Sequence, residues 1–373
     1  MMLTELENKE LLNDIDWNFT GSKSEPIHSL HPYPAKFISD IPRTLIDILP
    51  MPKNTIILDP FCGSGVTLVE AQKAGIESFG VDLNPIACLL SRVKTQPLSS
   101  DFLIVVEKIL GQCTSYKGNI TIPDIPNLDH WFKKDVQKGL AILLKYINLI
   151  ENGSISDALK FCMSSIIVKV SNQDSDTRYA AIENNWGKMD VFNLFYQVAQ
   201  KLDKAKKTLL YSTKSTVLNM NSLLLKKSNL QKKIGLVITS PPYPNAYEYW
   251  LYHKYRMWWL GYDPIDVKEQ EIGARAHYFK KNHQTEFDFI DQMDKLFNFL
   301  SVGCANEAFI CFVIGRSKIH GKIIENENII SEMGEKNGLK HVTTMERTIK
   351  SSRKSFNLSH ARIKEEFIVI LQK

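Results

Sequence analysis

Short, largely apolar runs recur along the chain, with stretches of helical period between them. Runs at 55–58, 78–81, 215–218, 235–238 and 308–314 are bounded by Asp, Asn, Gly or Pro and predict buried strands. Two further stretches, 339–348 and 367–371, predict the last strands. Residues 66–74 follow the first run with helical spacing and stop at Gly75, and a second helix opens at Pro85 behind an Asn84 cap. Thr285 predicts the N-cap of a helix over 285–300, and 323–334 reads as another of crossover length. The pattern changes at 97–210, where 138–150, 157–170 and 191–207 are helical in period and no buried strand is evident. The expected fold is α/β, a doubly wound Rossmann-like sheet with a helical insertion. Its parts are an N-terminal arm and helix at 1–50, a core domain at 51–96 and 211–373, and the insertion at 97–210.

Composition narrows the class without naming a chemistry. The 373 residues exceed a typical single domain, and 44% hydrophobic with 23% charged residues is the balance of a soluble globular protein. The first residues are acidic and interrupted by charge, unlike a signal peptide, and no apolar run reaches the ~20 residues that span a bilayer. The cysteines are scattered with no C-x-x-C pair, which speaks against a zinc site or a disulfide framework and suits a reducing cytoplasm. A net charge of +5 fits a polyanionic partner but also fits many proteins without one.

Three stretches carry candidate chemistry. Leu58-Asp59-Pro60-Phe61-Cys62-Gly63-Ser64-Gly65 joins the first strand to the first helix, and its glycines let the backbone turn tightly and approach a ligand. Leu68 stands where a dinucleotide fingerprint has its third glycine, which disfavours a nicotinamide. Gly80-Val81-Asp82-Leu83-Asn84-Pro85 ends the second strand. Asp82 lies 19 residues beyond Gly63, close to the ~20 expected for an acid that takes ribose hydroxyls, and Asn84 frees it from capping duty. Thr239-Ser240-Pro241-Pro242-Tyr243 leaves the fourth strand as a stiff, extended turn, since two prolines neither continue a strand nor enter a helix. A fixed hydroxyl, a fixed carbonyl and an aromatic face suit a planar group with an exocyclic amine. Taken alone, a Pro-Pro-Tyr turn is an ordinary strand end.

In this order the three stretches resemble the amino-methylating DNA methyltransferases that use S-adenosylmethionine, and the Ser-Pro-Pro-Tyr form resembles their N4-cytosine branch. The resemblance covers most of the chain outside about 97–210. It implies a seven-stranded sheet whose last pair is antiparallel. It also implies a cofactor site of Asp59, Pro60, Phe61, Gly63, Gly65, Asp82, Leu83, Asn84 and Thr239. Tyr33, Pro34, Lys36 and Phe37, from the arm 27–37, would wall in the methionine end, and an acid such as Asp59 suits a cationic ligand. Asn221 stands near where the family has an acid on the adenine amine. Ser240 and Pro241 would accept the amine's hydrogens, Pro242 would stiffen the turn, and Tyr243 would stack on the flipped base.

The expected activity is methylation of cytosine N4 in double-stranded DNA, either within a restriction-modification system with a cognate endonuclease encoded nearby or as a solitary modifier. It needs no metal and no membrane. Two other readings stay open: an N6-adenine or RNA amino-methyltransferase, and a non-catalytic nucleic-acid-binding subunit. The relatives that methylate adenine more often have Asn or Asp where Ser240 stands, and the absence of a Pro-Cys pair disfavours C5 chemistry.

Nine aromatics crowd 243–262, mostly as core, with Tyr247 and Tyr249 closest to a base pocket. Residues 268–283 read as a mobile basic loop containing Arg275. Nucleic-acid contacts are expected from Arg178 and Tyr179 in a polar, turn-rich interval of the insertion. Others are expected from Lys350, Arg353 and Lys354 in the last hairpin, with Arg347, Arg362 and Lys364. The plain alternatives are a helical cap over apolar surface and a solvated charge run.

Overall fold

A computed structural model describes residues 10–22, 25–35, 37–176, 178–209, 213–279, 283–348 and 365–373. Seven strands form one sheet: β1 (Ile56–Asp59), β2 (Ser78–Asp82), β3 (Ser215–Asn219), β4 (Ile234–Thr239), β5 (Cys304–Gly315), β6 (Lys340–Thr348) and β7 (Glu365–Gln372). Their order is β6-β7-β5-β4-β1-β2-β3. Pairing is parallel from β3 through β5, and β7 runs antiparallel to both β5 and β6. The chain winds outward in one direction from β1 and in the other from β4. The carboxyl ends of these two neighbours therefore flank the crevice where an open α/β sheet binds ligands.

Period-two alternation builds the two faces. Leu58, Val237, Ile310 and Phe312 pack to one side with Phe289, Met293 and Leu296 of α9 (Glu286–Gly303) and Ile329 and Ile330 of α10 (Asn326–Lys336). Ile57, Leu236, Ile238 and Cys311 pack to the other with Leu12, Trp17, and Ile41 and Leu45 of α1 (Asp40–Ile48). Both strands of the crevice are buried throughout, as central parallel strands must be.

α2 (Val66–Lys73) and α3 (Pro85–Thr95) follow β1 and β2. Between α3 and β3 lie α4 (Phe102–Ser115), α5 (Lys134–Ile147), α6 (Gly153–Ile167) and α7 (Lys188–Lys206). Their apolar faces share one cluster with Ile86, Leu89 and Leu90 of α3, and with Tyr255, Met257 and Trp259 of α8 (Tyr249–Trp259). The inserted helices are thus welded both to α3 and to α8, the helix that follows the Pro-Pro turn. Two ion pairs reinforce the weld, Arg92 with Asp157 at 2.7 Å and the buried Arg256 with Asp176. Lys206 adds a third tie: its ammonium donates to the carbonyls of Val93 (2.5 Å), Lys94 (3.2 Å) and Gln96 at the C-terminus of α3. No helix among the described residues is long and apolar enough to cross a membrane.

Several local expectations fail for identifiable reasons. Residues 268–283 are not a mobile loop. Asp263 caps a helix at Pro264–Gln270, a 3-10 turn follows at Arg275–Tyr278, and Ile272, Ala274 and Tyr278 are buried. Residues 280–282 lie outside the described residues. The helix read from 323 starts at Asn326, because Lys322–Ile324 pairs with Ser317–Ile319 across a two-residue turn. His320 and Gly321 there both have positive φ, the requirement of a tight hairpin turn. The arm, expected from the sequence to be held extended by Pro32 and Pro34, instead opens on a helical turn at Pro26–Ser29, with Ile27 and His28 buried. The polar interval of the insertion holds a two-stranded hairpin, Gln173–Ser175 with Arg178–Ala181.

Replacing Lys206 with Met keeps the aliphatic stem and removes the donor to three helix-end carbonyls. We expect a loss of about 2 kcal/mol in urea denaturation; an unchanged midpoint would show that solvent satisfies those carbonyls equally well.

Candidate functional site

The crevice is built by loops that hold one another. Asp59 ends β1 fully buried, and its carboxylate accepts from the Phe61 amide (3.1 Å) and from the Thr239 hydroxyl at the end of β4 (2.6 Å). This bond pins the glycine turn to the Pro-Pro turn. Burial pushes the Asp59 carboxyl up to about 6, against the pull of those donors.

Gly65 has φ +78°, and a Cβ there would lie 2.9 Å from the Ser91 Cα, so the turn packs directly on α3. Gly63 passes beneath the Tyr33 ring, its added Cβ 3.1 Å from the phenol oxygen. Asp82 completes the turn by accepting from the Gly63 and Asn84 amides, each at 2.8 Å. Burial raises its carboxyl to about 6 as well, and the two amide donors oppose the rise. Asn84 caps α3 through the Ile86 amide at 3.0 Å, as the sequence suggests. Ser222 donates to the Pro60 carbonyl and closes the loop after β3 onto the loop after β1.

One cavity of about 870 Å³, counted with the solvent at its mouth, opens between these loops. Of the residues expected at the cofactor, it is lined by Tyr33, Phe37, Asp59, Phe61, Gly63, Asp82, Leu83, Asn84 and Asn221. Ser240 and Pro242 line the same cavity. Pro34, Pro60, Gly65, Thr239, Pro241 and Tyr243 do not line it. Thr239 and Gly65 instead act behind it through Asp59 and α3, and the Pro60 carbonyl holds Ser222. Lys36 lies outside the described residues. The Asn221 oxygen already accepts from the Leu223 amide at 3.0 Å, which leaves its second lone pair for a ligand.

Sequence reasoning missed the wall opposite the glycine turn. Val267, Gln270, Glu271 and Ile272 line the cavity with Tyr249. Glu271 is buried and accepts from the Tyr249 and Trp250 amides (2.8 and 2.7 Å), so it caps α8, and burial drives its carboxyl up to about 8. Tyr249 and Tyr33 face each other with ring centres 5.9 Å apart. Gly273 sets this wall against the Pro-Pro turn: it has φ +71°, and a Cβ there would meet the Tyr243 carbonyl at 2.7 Å. Its own carbonyl accepts from the Asn245 amide at 3.0 Å. An isolated Gly in a charged stretch was the only available signal.

Tyr243 turns away from the cavity, and its hydroxyl donates to Glu366 at 3.0 Å. Arg347 is buried, paired with Glu366 at 2.7 Å and donating to the Trp17 carbonyl at 3.1 Å, so it does not meet phosphate. Arg275 lies over the Phe279 ring at 5.4 Å, outside the cavity. Arg178 and Tyr179 sit on a strand of the small hairpin, and their side chains are outside the description. Lys350, Arg353, Lys354, Arg362 and Lys364 also lie outside the described residues. One cluster with metal-binding spacing, Glu25, His28 and Glu70, is occupied by Arg43 and Lys73 through ion pairs of 2.5–2.9 Å.

Residues 4–92 match a family model described as DNA methylase (N6_N4_Mtase). The type II methyltransferase M.MvaI of Kocuria varians is 26% identical over 273 residues, covering 64% of this chain and 57% of the relative. M.BsoBI of Geobacillus stearothermophilus is 23% identical over 304 residues, covering 71% and 58% respectively. M.MjaII of Methanocaldococcus jannaschii is 38% identical over 90 residues, 22% of this chain and 16% of its own. The chain therefore spans little more than half the length of the first two.

Asp59 titrates in the fold near 6 and in the unfolded chain near ~3.9. Between these values the folded chain keeps a proton that the unfolded chain has released, so this contribution favours the fold at low pH and is lost as pH rises through 6. Thr239→Val removes a donor to the ionised form and extends that loss upward. We expect destabilisation of about 2 kcal/mol at pH 8 and clearly less at pH 5 in chemical denaturation. Equal losses at both pH values would show that the bond does not select the carboxylate.

Proposed function

We propose, for a chain that belongs to the N6/N4 DNA methylases, that it transfers the methyl group of S-adenosylmethionine to the exocyclic N4 amine of cytosine in double-stranded DNA. One observation carries the reading. The glycine turn with Asp82 opens on one cavity with Ser240 and Pro242 of the Pro-Pro turn, and the two turns are locked together by the Asp59–Thr239 bond. A donor site and an acceptor site must share one rim for a methyl group to pass between them.

The cavity fits the cofactor in chemistry. Asp82 spends one lone pair of each oxygen on backbone amides, which leaves acceptors for a ribose diol. Leu83, Phe61 and Asn221 offer an apolar and amide-edged slot for a purine, and Tyr33 covers the glycine turn. When bound, S-adenosylmethionine supplies an electrophilic methyl on a sulfonium. The residues of this chain do the rest. The Ser240 hydroxyl, which lines the cavity, accepts a hydrogen of the target amine, which draws its lone pair out of the ring and favours a tetrahedral nitrogen. Tyr249 and Pro242 offer faces for the base, which must be flipped out of the duplex to reach them.

The cytoplasm is the compartment of such a substrate, and a cognate endonuclease is the expected genetic partner. The relatives named above are type II methyltransferases, which supports a restriction-modification setting. Ser240 favours cytosine, and the same clamp serves adenine N6 chemically. Incubation with labelled cofactor and plasmid DNA, then nucleoside mass spectrometry, decides between them. N4-methylcytosine is the expected product, N6-methyladenine would move the chain to the other branch, and methyl groups on carbon alone would end the proposal. Ser240→Ala should lower the transfer rate on the order of 100-fold with cofactor affinity within about twofold. Cofactor affinity, by calorimetry, should fall as pH drops below about 6, where Asp82 gains a proton and loses an acceptor. Asp82→Asn should bind weakly at every pH; a wild-type affinity flat from pH 5 to 8 would remove Asp82 from the site.

A further inference from the structure

Beside the acceptor turn the chain builds a small hairpin that the reaction as described does not use. β5 lies next to β4 with Phe312 level with Thr239, and Gly315 stands three residues further along, about 10 Å at the rise of a strand. The hairpin of Ser317–Ile319 with Lys322–Ile324 continues from there, beyond the level at which β4 gives way to Ser240. Its base is locked, since the buried Asn326 Nδ2 donates to the Gly315 carbonyl at 2.7 Å and to the Ser317 hydroxyl at 2.8 Å. Its flank is tied to the acceptor turn: Asn245 Nδ2 donates to the Lys318 carbonyl at 2.7 Å, while the Asn245 backbone amide holds the Gly273 carbonyl at 3.0 Å. Its tip meets the neighbouring segment, where the His320 and His283 rings lie 4.3 Å apart.

The hairpin buries Ser317, Ile319 and Ile324 and exposes Lys318, His320, Lys322 and Ile323, the last to 69%. The register sets Lys318 opposite Ile323, so a cation and an apolar side chain stand together at the surface. No acid lies within 317–324. The acids at its base, Glu325, Glu327 and Glu365, face Arg316 at 3.4, 2.7 and 4.0 Å, and among the described residues neither Lys318 nor Lys322 makes an ion pair. Across the tip, Arg275 lies over the exposed Phe279 ring at 5.4 Å. A base delivered from a duplex to Ser240 brings its flanking phosphates and its neighbours in the stack to this rim. Phosphates call for unpaired cations, and the release of their counterions drives association. The gap left by a base that has swung out calls for an apolar side chain. The hairpin presents both beside the turn that would receive the base.

We infer that the hairpin 317–324 is a DNA-holding element of this site: Lys318 and Lys322 meet backbone phosphates beside the target nucleotide, and Ile323 packs against the stack that the target base leaves. This rests on the DNA methyltransferase reading above. Arg275, braced on Phe279, extends the cationic edge past the tip. The Asn245 bond gives the hairpin its leverage, because it fixes the phosphate contacts relative to the turn that carries Ser240. That bond uses the Lys318 carbonyl and not its ammonium, so the lysine side chain is left to the ligand.

The test compares wild type with the double variant Lys318→Ala/Lys322→Ala and with Ile323→Ser. Binding of a fluorescein-labelled DNA duplex, read by anisotropy over a range of salt, should weaken on the order of 10-fold at low salt in the double variant. The slope of log affinity against log salt should become shallower by about 2, one phosphate contact for each lysine. Ile323→Ser should leave that slope unchanged and slow single-turnover methyl transfer on plasmid DNA on the order of 10-fold. The melting temperature and the calorimetric affinity for S-adenosylmethionine should match wild type in both variants, since neither substitution touches the Asn245 bond or the cavity. A wild-type salt slope in the double variant, or a parallel loss of melting temperature and cofactor affinity, would overturn the inference and leave the methyltransferase reading standing. An unchanged rate in Ile323→Ser would strike the stack contact. A wild type that binds no duplex would take both readings down.

Discussion

A single buried hydrogen bond, from the Thr239 hydroxyl to the Asp59 carboxylate at 2.6 Å, decides whether this molecule has one site or two loops. Both residues end adjacent parallel strands at the point where the sheet reverses its winding. A carboxylate in that position is expensive, as its raised pKa records, and the fold tolerates it because donors from both loops meet on it. The two turns therefore keep one relative placement without any ligand. Preorganisation of this kind is what a transfer between two bound groups requires.

Around that bond the rim is held by a ring of backbone and side-chain contacts. Asp82 holds the Gly63 amide, Ser222 holds the Pro60 carbonyl, and Gly273 presses on the Tyr243 carbonyl. Most of these contacts use the strands' carboxyl-end loops, so the sheet core fixes them only if its register is fixed. The strict alternation of Leu58, Val237 and Phe312 against Ile57, Leu236 and Cys311 supplies that register, since a one-residue slip would turn each face inside out. The helices between α3 and β3 enter the same structure from the side. Their core is continuous with α8, whose first turn is capped by Glu271 at the cavity wall. Packing in the insertion is thus mechanically connected to the face opposite the glycine turn.

Much of this was legible in the chain before any coordinates. Asp59, Gly63, Asp82 and Ser240 announce themselves because their requirements are local. A glycine is needed where φ is positive, an acid stands at a strand tip, and two prolines stiffen a turn. The antiparallel pairing of the last two strands was implied by family resemblance and stands in the sheet. Glu271 and Ile272 were hidden because a buried glutamate and a surface one look alike in a run as charged as Lys268, Glu269 and Glu271. Arg347 was misread as a phosphate contact for the same reason: its partner, Glu366, is 19 residues away.

What the amino-acid sequence by itself determined is therefore the set of strands, the tight glycine turn and the stiff proline turn, each written in the conformational limits of a few neighbouring residues. Tertiary structure alone decided which of these meet. It turned Tyr243 towards Glu366 rather than into the cavity, and it made a wall of 267–272. It also spent Thr239 on joining two loops. Those outcomes depend on contacts between residues far apart in the chain, and burial energy, which selects among such contacts, leaves no mark on the local pattern.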